Sequence, residues 1–256
     1  MKKVTIIFAM LAVMGIGAAS AQKTVHFSLR AGGLFPQNRF AQASGDYLSG
    51  NGLNWGVIDY SNKGGAGMGL TFGMQVKFDI KSVKGLGILL GVDGMYNALN
   101  AAVNAFYEDQ VDAMDLPPIQ YSMKMPVYFN IPAMVGVGYS ITPIPNIGFY
   151  AEAAMGANLR FITNMVETTY DQSLNQETVV TTEFNRNLTF AYRFGAGVIF
   201  RDKYTLGIDW YNLGTAKLQG LQHTEINGVQ QVGSPVRYRA GKITPVNVAL
   251  RFGITF

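Results

Sequence analysis

The chain has 256 residues, with 30 Gly, 12% aromatic residues and only 14% charged residues, which is little charge for the surface of a soluble protein of that size. It contains no Cys, which excludes a lipid-modified N-terminal Cys, a disulfide framework and thiolate metal sites. Setting aside Lys2 and Lys3, the 20 basic residues fall to 18 against 16 acidic ones, a balance of +2, and no clustered Lys/Arg face argues for a nucleic-acid partner.

From the N-terminus, Met1-Lys2-Lys3 is a positive start, Val4 to Gly17 is an apolar stretch, and Ala19-Ser20-Ala21 supplies small residues before Gln22. This order is that of a cleaved secretory signal over 1–21, leaving 22–256 as the mature domain. The apolar segment is short for a membrane-spanning helix.

Beyond it, eight stretches place apolar side chains at every second position, the period of a strand with two chemically different faces. They run over 25–35, 68–80, 86–97, 122–141, 147–162, 188–200, 204–213 and 246–256. In the sixth, Leu188, Phe190, Tyr192, Phe194, Val198 and Phe200 alternate with Thr189, Arg193, Gly195 and Gly197. In the last, every even position from Val246 to Phe256 is apolar and every odd one is small or polar. Strands of a soluble sandwich usually have five or six residues, whereas about ten residues tilted in a membrane span the apolar band of an outer-membrane barrel.

The connections alternate between short and long. Short links fall at Lys81–Gly85, Thr142–Asn146 and Arg201–Lys203, and long ones at 36–67, 98–121, 163–187 and 214–245. The pattern predicts an all-β, eight-stranded antiparallel up-and-down transmembrane barrel with short periplasmic turns, long extracellular loops and both termini in the periplasm. Pro143 and Pro145 suit a turn, but Pro126 and Pro132 fall inside the fourth stretch and require a bulge, a bend or a shorter strand there. Gly85-Leu86-Gly87 followed by Gly91 has the wrong spacing for a dinucleotide loop and reads as turn and strand glycines.

Three segments carry a family resemblance: the aromatic-ended strand Asn247 to Phe256, the run Phe129-Asn130-Ile131-Pro132, and the strand Tyr204 to Tyr211. Through them nearly the whole mature chain resembles the OmpA-like and PorT-like small outer-membrane barrel proteins. The resemblance implies a cell outer-membrane location, contact with outer-membrane lipid, and Leu250, Phe252, Ile254 and Phe256 as a signal read by the barrel-assembly machinery.

With the even positions of the last strand facing lipid, the opposite parity points inward and gathers Arg30, Lys77, Asp79, Asp93, Lys124, Glu152, Arg160, Arg193, Asp209 and Arg251. Charges inside a narrow barrel need partners. Arg30, Asp93, Glu152, Arg160, Arg193, Asp209 and Arg251 are therefore expected to form a structural lumen network, and inward Gly relieves crowding. The alternative is a narrow anion pathway, against which stands the small interior of eight strands.

Catalysis has only two His to draw on, His26 near the periplasmic end of the first strand and His223 beside Thr224 and Glu225. A lipid-modifying role would rest on His223 alone; no catalytic residue and no cofactor are assigned. The second long loop holds Glu108, Asp109, Asp112 and Asp115, whose spacing does not fit a Ca²⁺ loop, so no metal is assigned. The fourth holds Lys217, Arg237, Arg239 and Lys242, which could dock on the acidic loop. Asn227-Gly228 is a two-residue hairpin signal, and Val179–Thr182 could continue outward opposite Val166–Thr169. Projecting strands of this kind offer edges to a protein partner. The expected function is an outer-membrane protein with a structural or protein-interaction role through its loops or within an envelope complex, with a narrow pore or transport component as the alternative.

Overall fold

A computed structural model describes residues 25–42, 64–99, 112, 115 and 117–256. The expected signal segment 1–21, Glu108 and Asp109 lie outside the described residues, while Asp112 and Asp115 are exposed.

Fourteen strands are arranged in two sheets among the described residues. Val25–Pro36 (β1), Ala66–Asp79 (β2), Leu86–Leu99 (β3), Tyr128–Ile144 (β5), Ile147–Ile162 (β6), Asn187–Phe200 (β9), Tyr204–Asn212 (β10) and Val246–Thr255 (β14) close an eight-stranded barrel, each antiparallel to its neighbours. The alternation is obeyed throughout: Leu70, Phe72, Leu188, Phe190 and Phe194 are 55–75% exposed, while Arg30, Gln75, Asp93, Arg193 and Asp209 on the opposite parity are nearly fully enclosed.

Pairing fixes the barrel's size. Stepping around the wall from His26 to Lys77, Leu89, Gly136, Ala154, Arg193, Tyr211 and Asn247 returns to β1 at Pro36. That is a stagger of ten residues. Eight strands with this stagger tilt by about 40° and enclose a backbone radius of about 8 Å, which side chains can fill.

The second sheet continues the barrel outward. Ile119–Lys124 (β4), Met165–Asp171 (β7), Gln176–Phe184 (β8), Ala216–Ile226 (β11) and Val236–Ile243 (β13) extend β5, β6, β9, β10 and β14 respectively, with the short Val229–Gln230 (β12) completing a hairpin on β11. Much of what the sequence reading treats as loops at 163–187 and 214–245 is therefore sheet. Val166–Thr169 pairs with Thr178–Thr181 across β7 and β8. Ile226 pairs with Val229 across the Asn227-Gly228 turn, whose φ values of 49° and 75° suit Asn and Gly.

The fourth predicted stretch needs correction. It is two strands, β4 and β5, broken at 125–127, so Pro126 lies in the break and Lys124 sits exposed on the extracellular sheet rather than in the lumen. Pro132 stays within β5. It keeps its partner Asn158 on β6, while toward β3 the ladder lapses between Val92–Ala133 and Met95–Asn130 with the register unchanged. A missing N–H explains the lapse. A short helix that periodicity does not announce, Asn38–Ala41 (α1), places Phe40 over the barrel mouth against the Tyr128 ring, 5.2 Å away and edge-on.

Candidate functional site

The lumen is filled in layers. Nearest the periplasm is a vestibule of about 660 Å³ lined by His26, Lys77, Ser140, Tyr150, Lys203 and Thr205, among others. Here His26 Nε2 lies 2.8 Å from Asp79 Oδ2, and Lys77 Nζ donates to Gly85 O at 2.9 Å and Ser140 Oγ at 3.0 Å. Lys77 and Asp79 thus guard the mouth, apart from the deeper charges.

Above the vestibule, three guanidiniums meet three carboxylates. Arg30 grips Glu152 with two bonds of 2.8 and 2.7 Å, and Arg193 Nη2 donates to the same carboxylate at 2.9 Å. Gln75 bridges them, donating to Glu152 at 2.9 Å and accepting from Arg193 at 2.7 Å. Arg193 also reaches Asp93 at 3.7 Å, and Arg251 joins Asp93 at 2.6 Å to Asp209 at 3.2 Å. Tyr211 donates to Asp93 Oδ2 at 3.0 Å and accepts from Arg251. Formal charges cancel within the cluster and each ion is paired, as enclosed charges require, although the Nε atoms of Arg30, Arg193 and Arg251 and Oδ1 of Asp209 are buried without a hydrogen-bond partner among the described residues. Space for it comes from inward glycines: a Cβ on Gly73 would collide with Asp93 Oδ1, and one on Gly195 with Asp209 Oδ1.

The next layer is apolar, packed from Leu34, Met95, Met134, Ala191, Leu213 and Ala249. Beyond it lies a polar tier, in which Asn97 donates to Asn247 at 3.3 Å and Asn158 to Asn130 at 3.0 Å. Arg160 belongs here, not with the acids. It donates to the carbonyls of Ile243, Leu213 and Gly214 at 3.1, 3.3 and 2.8 Å and to Asn130 Oδ1 at 3.3 Å. Those carbonyls lie where β10 and β14 give way to β11 and β13, so Arg160 ties the barrel to the outer sheet. A second apolar layer of Phe40, Leu99, Tyr128, Ile162, Met165 and Leu218 closes the top.

Of the seven residues expected to form one network, six converge and Arg160 stands apart. Sequence reasoning missed Gln75, Tyr211 and the four Asn residues because it counted only formal charges; their inward parity was the available signal. On the outer sheet, His223 Nε2 lies 3.9 Å from Glu183. Successive strand residues point to opposite faces, so Thr224 cannot join His223 in one catalytic group.

The exterior of the barrel is apolar from Phe78, Ile88, Phe149 and Phe200 at one end to Leu159, Leu188 and Phe190 at the other. Aromatic rings cluster at both margins, as in Phe129 stacked on Phe161 at 5.0 Å and Tyr204 on Phe252 at 6.2 Å. Leu250, Phe252 and Phe256 lie on this lipid-facing side, 49–61% exposed. A closed barrel with an apolar band, aromatic margins and a polar packed interior is an integral outer-membrane architecture, because closure satisfies every strand edge within the hydrocarbon. No helix among the described residues is long and apolar enough to cross a membrane; the crossing is made by strands.

No family model and no curated protein matches the chain. Among solved structures it is similar to Neisserial surface protein A, with a TM-score of 0.44 at 8% identity over 91% of this chain and 96% of that one. It is also similar to the outer membrane protein OprG from Pseudomonas aeruginosa, with a TM-score of 0.40 at 11% identity over 92% and 98% of the two chains. A major outer membrane protein from Thermus thermophilus gives 0.41 at 10% identity over 91% and 99%. The membrane assignment rests on the barrel's own surface and interior rather than on these likenesses.

Proposed function

We propose that this outer-membrane protein acts as a non-conducting pedestal that presents its extracellular sheet to a protein partner. The observation that carries the reading is the continuation of five of the eight barrel strands past the membrane as one sheet, above a lumen blocked by an ionic and two apolar layers. Anchoring strands in a rigid barrel holds their outer ends in fixed register, the preorganisation a binding surface needs. Exposed apolar side chains mark the far end, with Val229, Val232, Val236 and Leu174 between 59% and 106% accessible. Grouped apolar exposure at an accessible end favours protein contact over simple solvation.

The lumen argues against the pore alternative, since ions would have to cross two apolar constrictions. In this reading the lipid-facing residues Leu250, Phe252, Ile254 and Phe256 serve assembly rather than the mature role. The test is photocrosslinking in cells from positions 174 and 232, with position 90 in the lipid belt as control. A discrete protein adduct from the sheet positions supports the pedestal; adducts to lipid alone, or none above the control, refute it.

A further inference from the structure

We infer that the periplasmic vestibule is a binding site for a neutral oligosaccharide. Six hydroxyl groups line it, those of Ser28, Ser140, Thr142, Tyr150, Thr205 and Thr255. They come from β1, β14, β10, β6 and β5, which span six of the eight consecutive positions in the wall, so they surround the cavity rather than share one side. Gln75 on β2 adds an amide. The volume of about 660 Å³ falls within the range of small-ligand sites, about 300–1,000 Å³.

Several of these groups are built into the wall yet unspent. Thr205 is only 8% exposed, and the hydroxyls of Thr142, Tyr150 and Thr205 have no hydrogen-bond partner among the described residues. Glycines make the room: a Cβ on Gly207 would strike the Tyr150 hydroxyl, and one on Gly253 would strike Thr205 Oγ1. Hydroxyls seated over glycine in a rigid wall hold their positions before any ligand arrives. Ser28 and Thr255 share one hydrogen bond of 2.8 Å, which uses one of their two protons and leaves the other to donate. On the floor, Gln75 spends one amide hydrogen on Glu152 and keeps its second.

The charged groups of the vestibule select against an ion. Lys77 bonds Gly85 O, Ser140 and Asp79, His26 meets Asp79, and Arg30 grips Glu152. A bound ion would have to break such pairs, at the cost of leaving a partner uncompensated. An apolar ligand would strand the enclosed Thr205 hydroxyl. Each hydroxyl both donates and accepts, and a sugar answers many such groups at once while laying its C–H face on Ile199 and Phe256 at the same cavity. The vestibule opens at the end opposite the extracellular sheet, so this site stands independently of the proposed protein partner.

The chain has no Cys, so a single introduced thiol reports on the cavity. Lys203→Cys, at the exposed edge of the vestibule, is modified with a maleimide in the purified full chain in nanodiscs, with chitotriose or maltotriose present. Either sugar should slow the reaction severalfold, and neither should slow it in the control Ser173→Cys on the turn between β7 and β8. Chitotriose carries acetamido sugars, as a wall glycan does, and maltotriose the plain hexoses of a free solute, so protection by one alone identifies the source. Adding Thr205→Val should raise the half-protecting concentration about tenfold, the worth of one enclosed hydrogen bond. Tyr150→Phe should do the same, and serves alone should Thr205→Val lose its folded, heat-modifiable gel mobility. Inorganic phosphate should not protect. Protection by neither sugar, equal slowing in the control, protection by phosphate, or undiminished protection in the folded hydroxyl variants would each overturn the assignment.

Discussion

Glu152 is the hub of the lumen network, accepting from Arg30, Arg193 and Gln75 at once. Glu152→Gln keeps the shape but leaves two guanidiniums enclosed with less counter-charge, and breaking one side of such a group costs on the order of 3–5 kcal/mol. The variant should lose its folded gel mobility at a clearly lower temperature than the parent, while Glu152→Gln/Arg30→Gln should recover part of the loss. Recovery absent in the double variant would mean that shape rather than charge dominates. Space matters as much: Gly195→Ala puts a methyl group where Asp209 Oδ1 sits, and should destabilise by a comparable amount although it removes no contact. Parity in the sequence puts six of these charges on inward positions. It could not place Lys124, because a break at 125–127 separates that residue from the barrel, and alternation carries no mark of where one sheet ends and another begins.

At the scale of elements, the extracellular sheet has its own response to pH. Burial pushes the Glu167 carboxyl on β7 above the ordinary carboxylate range, with a hydrogen bond of 3.4 Å from Tyr121 on β4 opposing the shift. Because the folded sheet holds this proton to a higher pH than the unfolded one, the stability it contributes is complete in acid and is lost as pH rises through the raised value. Amide protection along β4 and β7, corrected for intrinsic exchange, should therefore fall from acid toward neutral pH, and Glu167→Gln should flatten the change. A slope that survives the substitution would assign it elsewhere. The hairpin that carries β12 was readable from Asn227-Gly228 alone, since a local turn rule needs no tertiary information. The length of the sheet was not: Thr, Gln and Glu fill β7, β8 and β11 because neither face meets lipid, and polar strands outside a membrane look like loops when the reference pattern is a lipid-facing one.

Across the whole molecule, the layers act in series, and a series is only as open as its tightest step. With eight strands and a stagger of ten, the wall encloses an interior narrow enough for the Leu34, Met95 and Met134 layer to fill with its own side chains. Removing four of the six charges of the ionic layer, and leaving the Arg251–Asp209 pair, would deepen the periplasmic vestibule without reaching the far side. The quadruple variant Arg30→Ser, Glu152→Ser, Arg193→Ser and Asp93→Ser, provided that it keeps its folded gel mobility, is therefore expected to give no single-channel steps in planar bilayers, like the parent. Adding Leu34→Gly and Met95→Gly still leaves Phe40 and Tyr128 sealing the mouth, so conductance should appear only when Phe40→Gly is also present. Steps in the quadruple variant would show that the apolar layers do not seal, and would return the pore reading to the front; silence until the third layer is breached would establish that the barrel is a closed support rather than a conduit.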